Sequence, residues 1–206
     1  MTQCNQWALS APAASTPTHG CLVLLGMDGA GKSTAATALT EQLRAAGYAA
    51  VQRANPAGRR WLERHLEGRR SLLPVRWQDA IETPIRALNA VFTWLLAGFF
   101  SGWVVSDRHL FCQLVLRRVR GLADGPWLEA AARGVLGSAR VVVLDVDPLV
   151  ALARVRARGE DEETLSYLMA SRLEYLRLAK AYGWPVIDAE AEPAVVLERL
   201  RKLMGT

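Results

Sequence analysis

Between an apolar run, CLVLL at 21–25, and a helix-forming run, AATALTEQLRAAG, stands the nonapeptide GMDGAGKST, Gly26 to Thr34. It fits G-x-x-x-x-G-K-[ST] with Gly26, Gly31, Lys32 and Ser33 in register. No other stretch restricts the fold as much. Glycines let the backbone turn so tightly that successive N–H groups point inward as an anion nest, and the helix that follows adds the positive end of its dipole. Lys32 brings a full charge to the outer phosphates of a nucleotide, and the Ser33 hydroxyl suits Mg²⁺. A glycine-rich turn can also be a plain strand-to-helix connector. The complete motif, placed between a strand and a helix, favours phosphate binding.

The remainder of the chain alternates strand and helix. Strands are expected at 21–25, at YAAVQR (48–53), at WVVSD (103–107), at VVVLDVD (141–147) and at PVID (185–188). Helices are expected over about 32–46, stopped by Gly47, then over 59–71, 78–99, 109–137 with a break near Asp124-Gly125-Pro126, 148–157 and 164–181, with a last one closing the chain. Repeated β–α units with short connections imply an α/β fold, a parallel sheet flanked by helices. Ligands then bind beyond the C-terminal strand ends. Three of those ends carry polar groups: the loop Gly26–Ser33, the triplet Ser106-Asp107-Arg108, and Asp145 with Asp147. If strands one and three are neighbours, Asp107 and Arg108 lie beside the phosphate loop.

The 206 residues suit one α/β domain, 20–206, after an Ala/Ser/Thr/Pro-rich tail, 1–19, that lacks the features of a signal peptide. A net charge of +5 suits anionic ligands, but the basic residues are interspersed with acids, so a nucleic-acid partner is not expected. Cys4, Cys21 and Cys112 are too few and too far apart for a metal motif or a disulfide framework, which fits a reducing cytoplasm. The apolar run 87–105 is long enough for a membrane span, yet Ser101-Gly102 interrupts it. A helix followed by a buried strand explains it better, and no membrane partner is expected. Phe92, Trp94, Phe99 and Phe100 are candidates for a homodimer face. No N-K-x-D motif supports a GTPase switch, and the chain is short for a nucleic-acid motor.

GMDGAGKST, GWVVSDRH, LDVDPLVALARVRARGE, RLEYLRLA and VIDA occur in the order seen in thymidylate kinases, which this chain resembles among the P-loop nucleoside monophosphate kinases. The resemblance implies a P-loop NTPase fold, a five-stranded parallel sheet flanked by helices with a short lid, using ATP and Mg²⁺ to phosphorylate a small-molecule acceptor, a nucleoside monophosphate. By that resemblance Gly26, Asp28, Gly29, Ala30, Gly31, Lys32, Ser33, Thr34 and Arg154 bind the nucleotide, and Ser33 and Asp107 serve the metal. Lys32, Asp107, Arg108, Arg156 and Arg158 are the candidate catalytic residues, and Asp28, Arg53, Arg86 and Arg108 the acceptor-binding ones.

Departures from the family concentrate on the acceptor side. Glu82 and Thr83 stand where aromatic residues commonly stack on thymine, and the tyrosine that usually follows the DRH triplet is missing. The usual REPGG-like stretch is only RANPAGRR, with Arg53, Pro56 and Gly58 as an echo, and the lid, GEDEETLS, has no arginine. Arg156 or Arg158, failing those Arg59 or Arg60, is expected to supply the missing cation. Weak discrimination among bases is expected in consequence. Three readings follow: a nucleoside monophosphate kinase with thymidylate as default acceptor, a kinase of the same fold acting on another small molecule, and a nucleotide-binding protein without catalysis.

Overall fold

The computed structural model describes residues 19–55, 74–123, 126–159 and 163–205. Expectations for the tail 1–18, the helix at 59–71, Pro56, Gly58, Arg59, Arg60 and the lid residues 160–162 lie outside the described residues. Five strands form one parallel sheet: β1 Gly20–Leu25, β2 Ala50–Ala54, β3 Trp103–Asp107, β4 Arg140–Asp145 and β5 Val186–Asp188, in the order β2-β3-β1-β4-β5. Among the described residues the flanking helices are α1 Lys32–Ala45, α2 Val75–Phe99, α3 Phe111–Val119, α4 Pro126–Gly134, α5 Pro148–Arg158, α6 Leu165–Tyr182 and α7 Pro193–Met204.

The sheet is parallel because each strand returns through a helix, and helices on both faces bury its middle. That burial explains the unalternated runs CLVLL, WVVSD and VVVL: Leu22 to Leu25, Trp103 to Asp107 and Val141 to Leu144 are all buried. The apolar run 87–105 divides as expected. Helix α2 ends at Phe99, the backbone turns at Ser101-Gly102, and β3 begins at Trp103. No described helix is long and apolar enough to cross a membrane.

The strand order fixes where a ligand can sit. The connection leaving β1 runs by way of α1 to β2 on one side, while the connection leaving β3 crosses over to β4 on the other. Their loops part at the C-terminal ends of β1 and β3, the crevice in which open parallel sheets bind ligands. Pairing of Leu24 with Asp107 brings the start of the phosphate loop level with the end of β3.

Candidate functional site

The phosphate loop needs glycine at two points for different reasons. Gly26 adopts φ 142°, and a Cβ there would sit 2.4 Å from the Leu144 carbonyl oxygen. Gly29, at φ 86°, would push a Cβ to 2.6 Å from the Ala151 carbonyl. The loop is thus pressed between the end of β4 and the first turns of α5, with no room for a side chain. Lys32 opens α1 and folds back over the loop, its Nζ donating to the Met27 carbonyl at 2.7 Å. Burial lowers its pKa, with the Arg108 charge adding to the effect, while Asp28 and Asp107 oppose it.

Asp107, the last residue of β3, meets the other end of the motif. The Ser33 hydroxyl donates to Asp107 Oδ2 in a short hydrogen bond, while Asp107 Oδ1 is buried without a hydrogen-bond partner among the described residues. A hydroxyl and a carboxylate with a spare buried oxygen, next to an anion nest, form a donor set suited to Mg²⁺ beside a phosphate.

Arg108 takes a left-handed backbone conformation, φ 79°, unusual for a residue with a side chain. Two hydrogen bonds hold that turn: its N–H donates to the Leu24 carbonyl at 3.2 Å, and the Ser106 hydroxyl donates to its carbonyl at 3.0 Å. The turn aims the guanidinium at the loop, where Nη2 meets Asp28 Oδ1 at 2.5 Å. Burial opposes the Arg108 charge, yet Asp28 together with Cys112, Tyr175 and Asp107 outweighs it, and its pKa is raised. Arg108 therefore already has a protein anion beside it, and its fork keeps further donors for a second one.

From this junction a cleft of about 270 Å³ runs toward α2, α3 and α6. Helix α2 contributes Glu82 and Arg86 one turn apart, both buried, and Asn55 lies at the end of β2. Arg86 Nε and Nη1 have no hydrogen-bond partner among the described residues. Asn55 Nδ2 donates to the Arg86 carbonyl at 3.2 Å, which leaves Asn55 Oδ1 buried without a partner. Ser171 and Tyr175 of α6 line the opposite wall, and the Ser171 hydroxyl is also buried without a partner among the described residues. Buried polar groups in this state are costly unless something pairs with them.

Two residues expected at the site are elsewhere. Successive side chains of a strand point to opposite faces, so Gln52 and Ala54 reach the cleft and Arg53 does not. The Arg53 guanidinium instead lies 4.8 Å from the centre of the Phe92 ring. On α5, Arg154 and Arg158 are four positions apart and share a side, whereas Arg156 projects from the other. Arg158 lines the cleft, Arg154 reaches the carbonyls of Gly29 at 3.4 Å and Ala189 at 3.3 Å, and Arg156 is exposed away from both. Arg154 also borders a second hollow of about 340 Å³, on the outer side of the loop, with Ala30, Gly31, Thr34 and Pro193.

The third polar strand end is structural. Arg172 of α6 grips Asp145 with two hydrogen bonds, at 2.8 and 2.7 Å, and Asp147 caps α5 by accepting from the Leu149 N–H at 2.8 Å. Sequence reasoning assigned no role to Asn55, Ser171 or Tyr175, although Asn55 lies in RANPAGRR and Tyr175 in RLEYLRLA; they meet the cleft only through the fold. Glu82 was noticed only as a missing aromatic residue.

The chain is similar to known proteins over most of its length. A protein-family model described as an AAA domain matches residues 21–193. A probable thymidylate kinase of Pyrobaculum aerophilum is 30% identical over 182 residues, 87% of this chain and 93% of that protein. One from Archaeoglobus fulgidus is 28% identical over 183 residues, 87% of this chain and 91% of that protein. A thymidylate kinase of Magnetococcus marinus is 30% identical over 192 residues, 82% of this chain and 87% of that protein.

Proposed function

The chain belongs to the thymidylate kinase family and is a nucleotide kinase, and from that premise we propose that it transfers the γ-phosphate of ATP to the phosphate of a nucleoside monophosphate, thymidylate being the default acceptor. The observation that carries the reading is the junction of the Gly26–Ser33 loop with Asp107 and Arg108, opening into a cleft that holds the buried Arg86 guanidinium, whose Nε and Nη1 have no hydrogen-bond partner among the described residues.

In this reading ATP lies along the loop, its phosphates on the nest and Lys32, its base in the hollow beside Arg154 and Pro193. Ser33 and Asp107 would hold Mg²⁺, which when bound neutralises charge on the phosphates and helps orient them. Arg108, pre-positioned by Asp28, takes the acceptor phosphate in its planar fork. An oxygen of that phosphate attacks the γ-phosphorus as the bond to the ADP oxygen breaks, giving ADP and a nucleoside diphosphate. Arg158 supplies the cation that GEDEETLS lacks. Such chemistry asks the protein mostly for positioning and charge.

The apolar face of α2 fits a homodimer, because Leu88, Phe92, Leu95 and Phe99 form one exposed stripe at helical spacing. A second reading, a kinase of another small molecule, draws on one observation: Glu82 lies in the cleft where relatives commonly place a stacking aromatic. Measuring ADP formation with a panel of nucleoside monophosphates and unphosphorylated nucleosides decides between them. Turnover with monophosphates is the expected result, and turnover confined to unphosphorylated acceptors would refute the phosphate-binding role given to Arg108.

A further inference from the structure

Strand β3 carries a polar side chain where the packing asks for none. Trp103, Val104 and Val105 are buried and apolar, and Ser106, 1% exposed, continues the run between Val23 of β1 and Arg53 of β2. Alanine would fill that space almost as well, and a buried hydroxyl is costly without a partner. Its partner is two residues on: the Ser106 hydroxyl donates to the Arg108 carbonyl at 3.0 Å. Arg108 is the one residue other than glycine with positive φ, 79°, among the described residues. A residue with a Cβ stays in that conformation only where its surroundings over-determine it. Glycine would relieve the turn but lose the guanidinium, so the chain keeps the arginine and clips its backbone. One clip, the Arg108 N–H on the Leu24 carbonyl at 3.2 Å, is made by main chain alone. The other depends on the side chain of Ser106.

We propose that Ser106 is a positioning residue for phosphoryl transfer: its hydroxyl holds the left-handed turn that brings the Arg108 guanidinium to Asp28 and to the acceptor's phosphate. Ser106 does not line the cleft, and on a strand its side chain points to the face opposite that of Asp107, so its effect has to pass through Arg108. Without the hydroxyl the Arg108 carbonyl loses this partner, and φ relaxes toward the negative values that residues with a Cβ prefer. The Cα–Cβ bond then swings, and the guanidinium leaves the place where its Nη2 meets Asp28 Oδ1 at 2.5 Å. A misplacement of about an ångström is enough to misalign reacting groups. ATP, held by the loop and Lys32, keeps its contacts. The proposal rests on the reading that Arg108 holds the phosphate of a nucleoside monophosphate.

Two variants test it. Ser106→Ala removes a single oxygen, and Ser106→Cys fills the same space with a weak donor. Both are compared with the wild-type protein in steady-state kinetics with ATP and thymidylate, and in inhibition by thymidine, which has no phosphate for Arg108 to hold. In the variants kcat/KM for thymidylate should fall about tenfold, the scale of a lost hydrogen bond and a displaced charge, while the KM for ATP and the Ki of thymidine stay within about twofold. A serine that served packing alone would not produce that split. Unchanged kcat/KM for thymidylate in both variants overturns the proposal. A loss shared equally by ATP, thymidine and thymidylate also overturns it, as does misfolding of both variants, since either result marks Ser106 as a packing residue. Absence of turnover by the wild-type protein with any monophosphate refutes the acceptor reading itself, and with it the role of Arg108 through which Ser106 acts, a result distinct from the others.

Discussion

At the scale of single residues, Lys32 and His109 make opposite uses of burial. Lys32 sits next to the nest at the expense of solvation, which lowers its pKa, with the Met27 carbonyl and the Asp28 and Asp107 carboxylates in compensation. A polyphosphate would supply the strongest available partner. Lys32→Ala is therefore expected to abolish turnover and to weaken ATP binding strongly, measured by initial rates and by titration calorimetry. Normal turnover in that variant would contradict the kinase reading. His109 is buried against Phe111, ring centres 5.7 Å apart, and burial pushes its pKa down to about 4. The unfolded chain binds this proton at about 6.5, so between the two values it holds more protons than the folded one. Stability from neutral His109 is complete above about pH 6.5 and is lost as pH falls toward 4, by up to about 3 kcal/mol. Urea unfolding of the wild-type protein and His109→Phe at pH 7 and pH 4.5 should show a smaller acid loss in the variant. Equal losses would mean that other groups govern acid stability.

At the scale of elements, periodicity decides which motif residues reach the chemistry. Arg154, Arg156 and Arg158 look equivalent in the sequence, but about 100° per residue turns Arg156 away from the side that Arg154 and Arg158 share. Arg158→Ala is expected to lower kcat on the order of 10³-fold, whereas Arg156→Ala should stay near the wild-type rate. A large loss for Arg156→Ala with little for Arg158→Ala would reverse the assignment. The same rule removed Arg53: strand β2 has period two, and its Gln52/Ala54 side faces the cleft. The glycine-rich turn between β1 and α1 was legible because a loop motif is contiguous and local. The place of Asp107 and Arg108 beside the loop was legible on the condition that β1 and β3 are neighbours, which they are. Asn55, Ser171 and Tyr175 were not, since the end of β2 and the face of α6 that carries Ser171 and Tyr175 meet only through the fold. Glu82 has a helical position that the sequence gives plainly. Its burial opposite Arg120 depends on how α2 packs on α3, which no local pattern encodes.

At the scale of the whole molecule, the alternation of strands and helices fixed the sheet, and the strand order put the two polar ends at one crevice. The exposed stripe on α2 is the remaining large feature, with Phe99 86% exposed. If two copies bury it, sedimentation velocity at micromolar concentration should give a dimer, and Leu95→Glu or Phe99→Glu a monomer. A monomeric wild-type protein under those conditions would refute the pairing. Central to the whole account is the path of one phosphate, from a nucleotide on the Gly26–Ser33 loop to an acceptor held by Arg108. Incubation with ATP labelled at the γ-position, Mg²⁺ and thymidylate, followed by separation of the products, follows that phosphate directly. The account predicts label in the β-phosphate of a nucleoside diphosphate, formed one for one with ADP. Label appearing only as inorganic phosphate, whichever monophosphate is supplied, would contradict it.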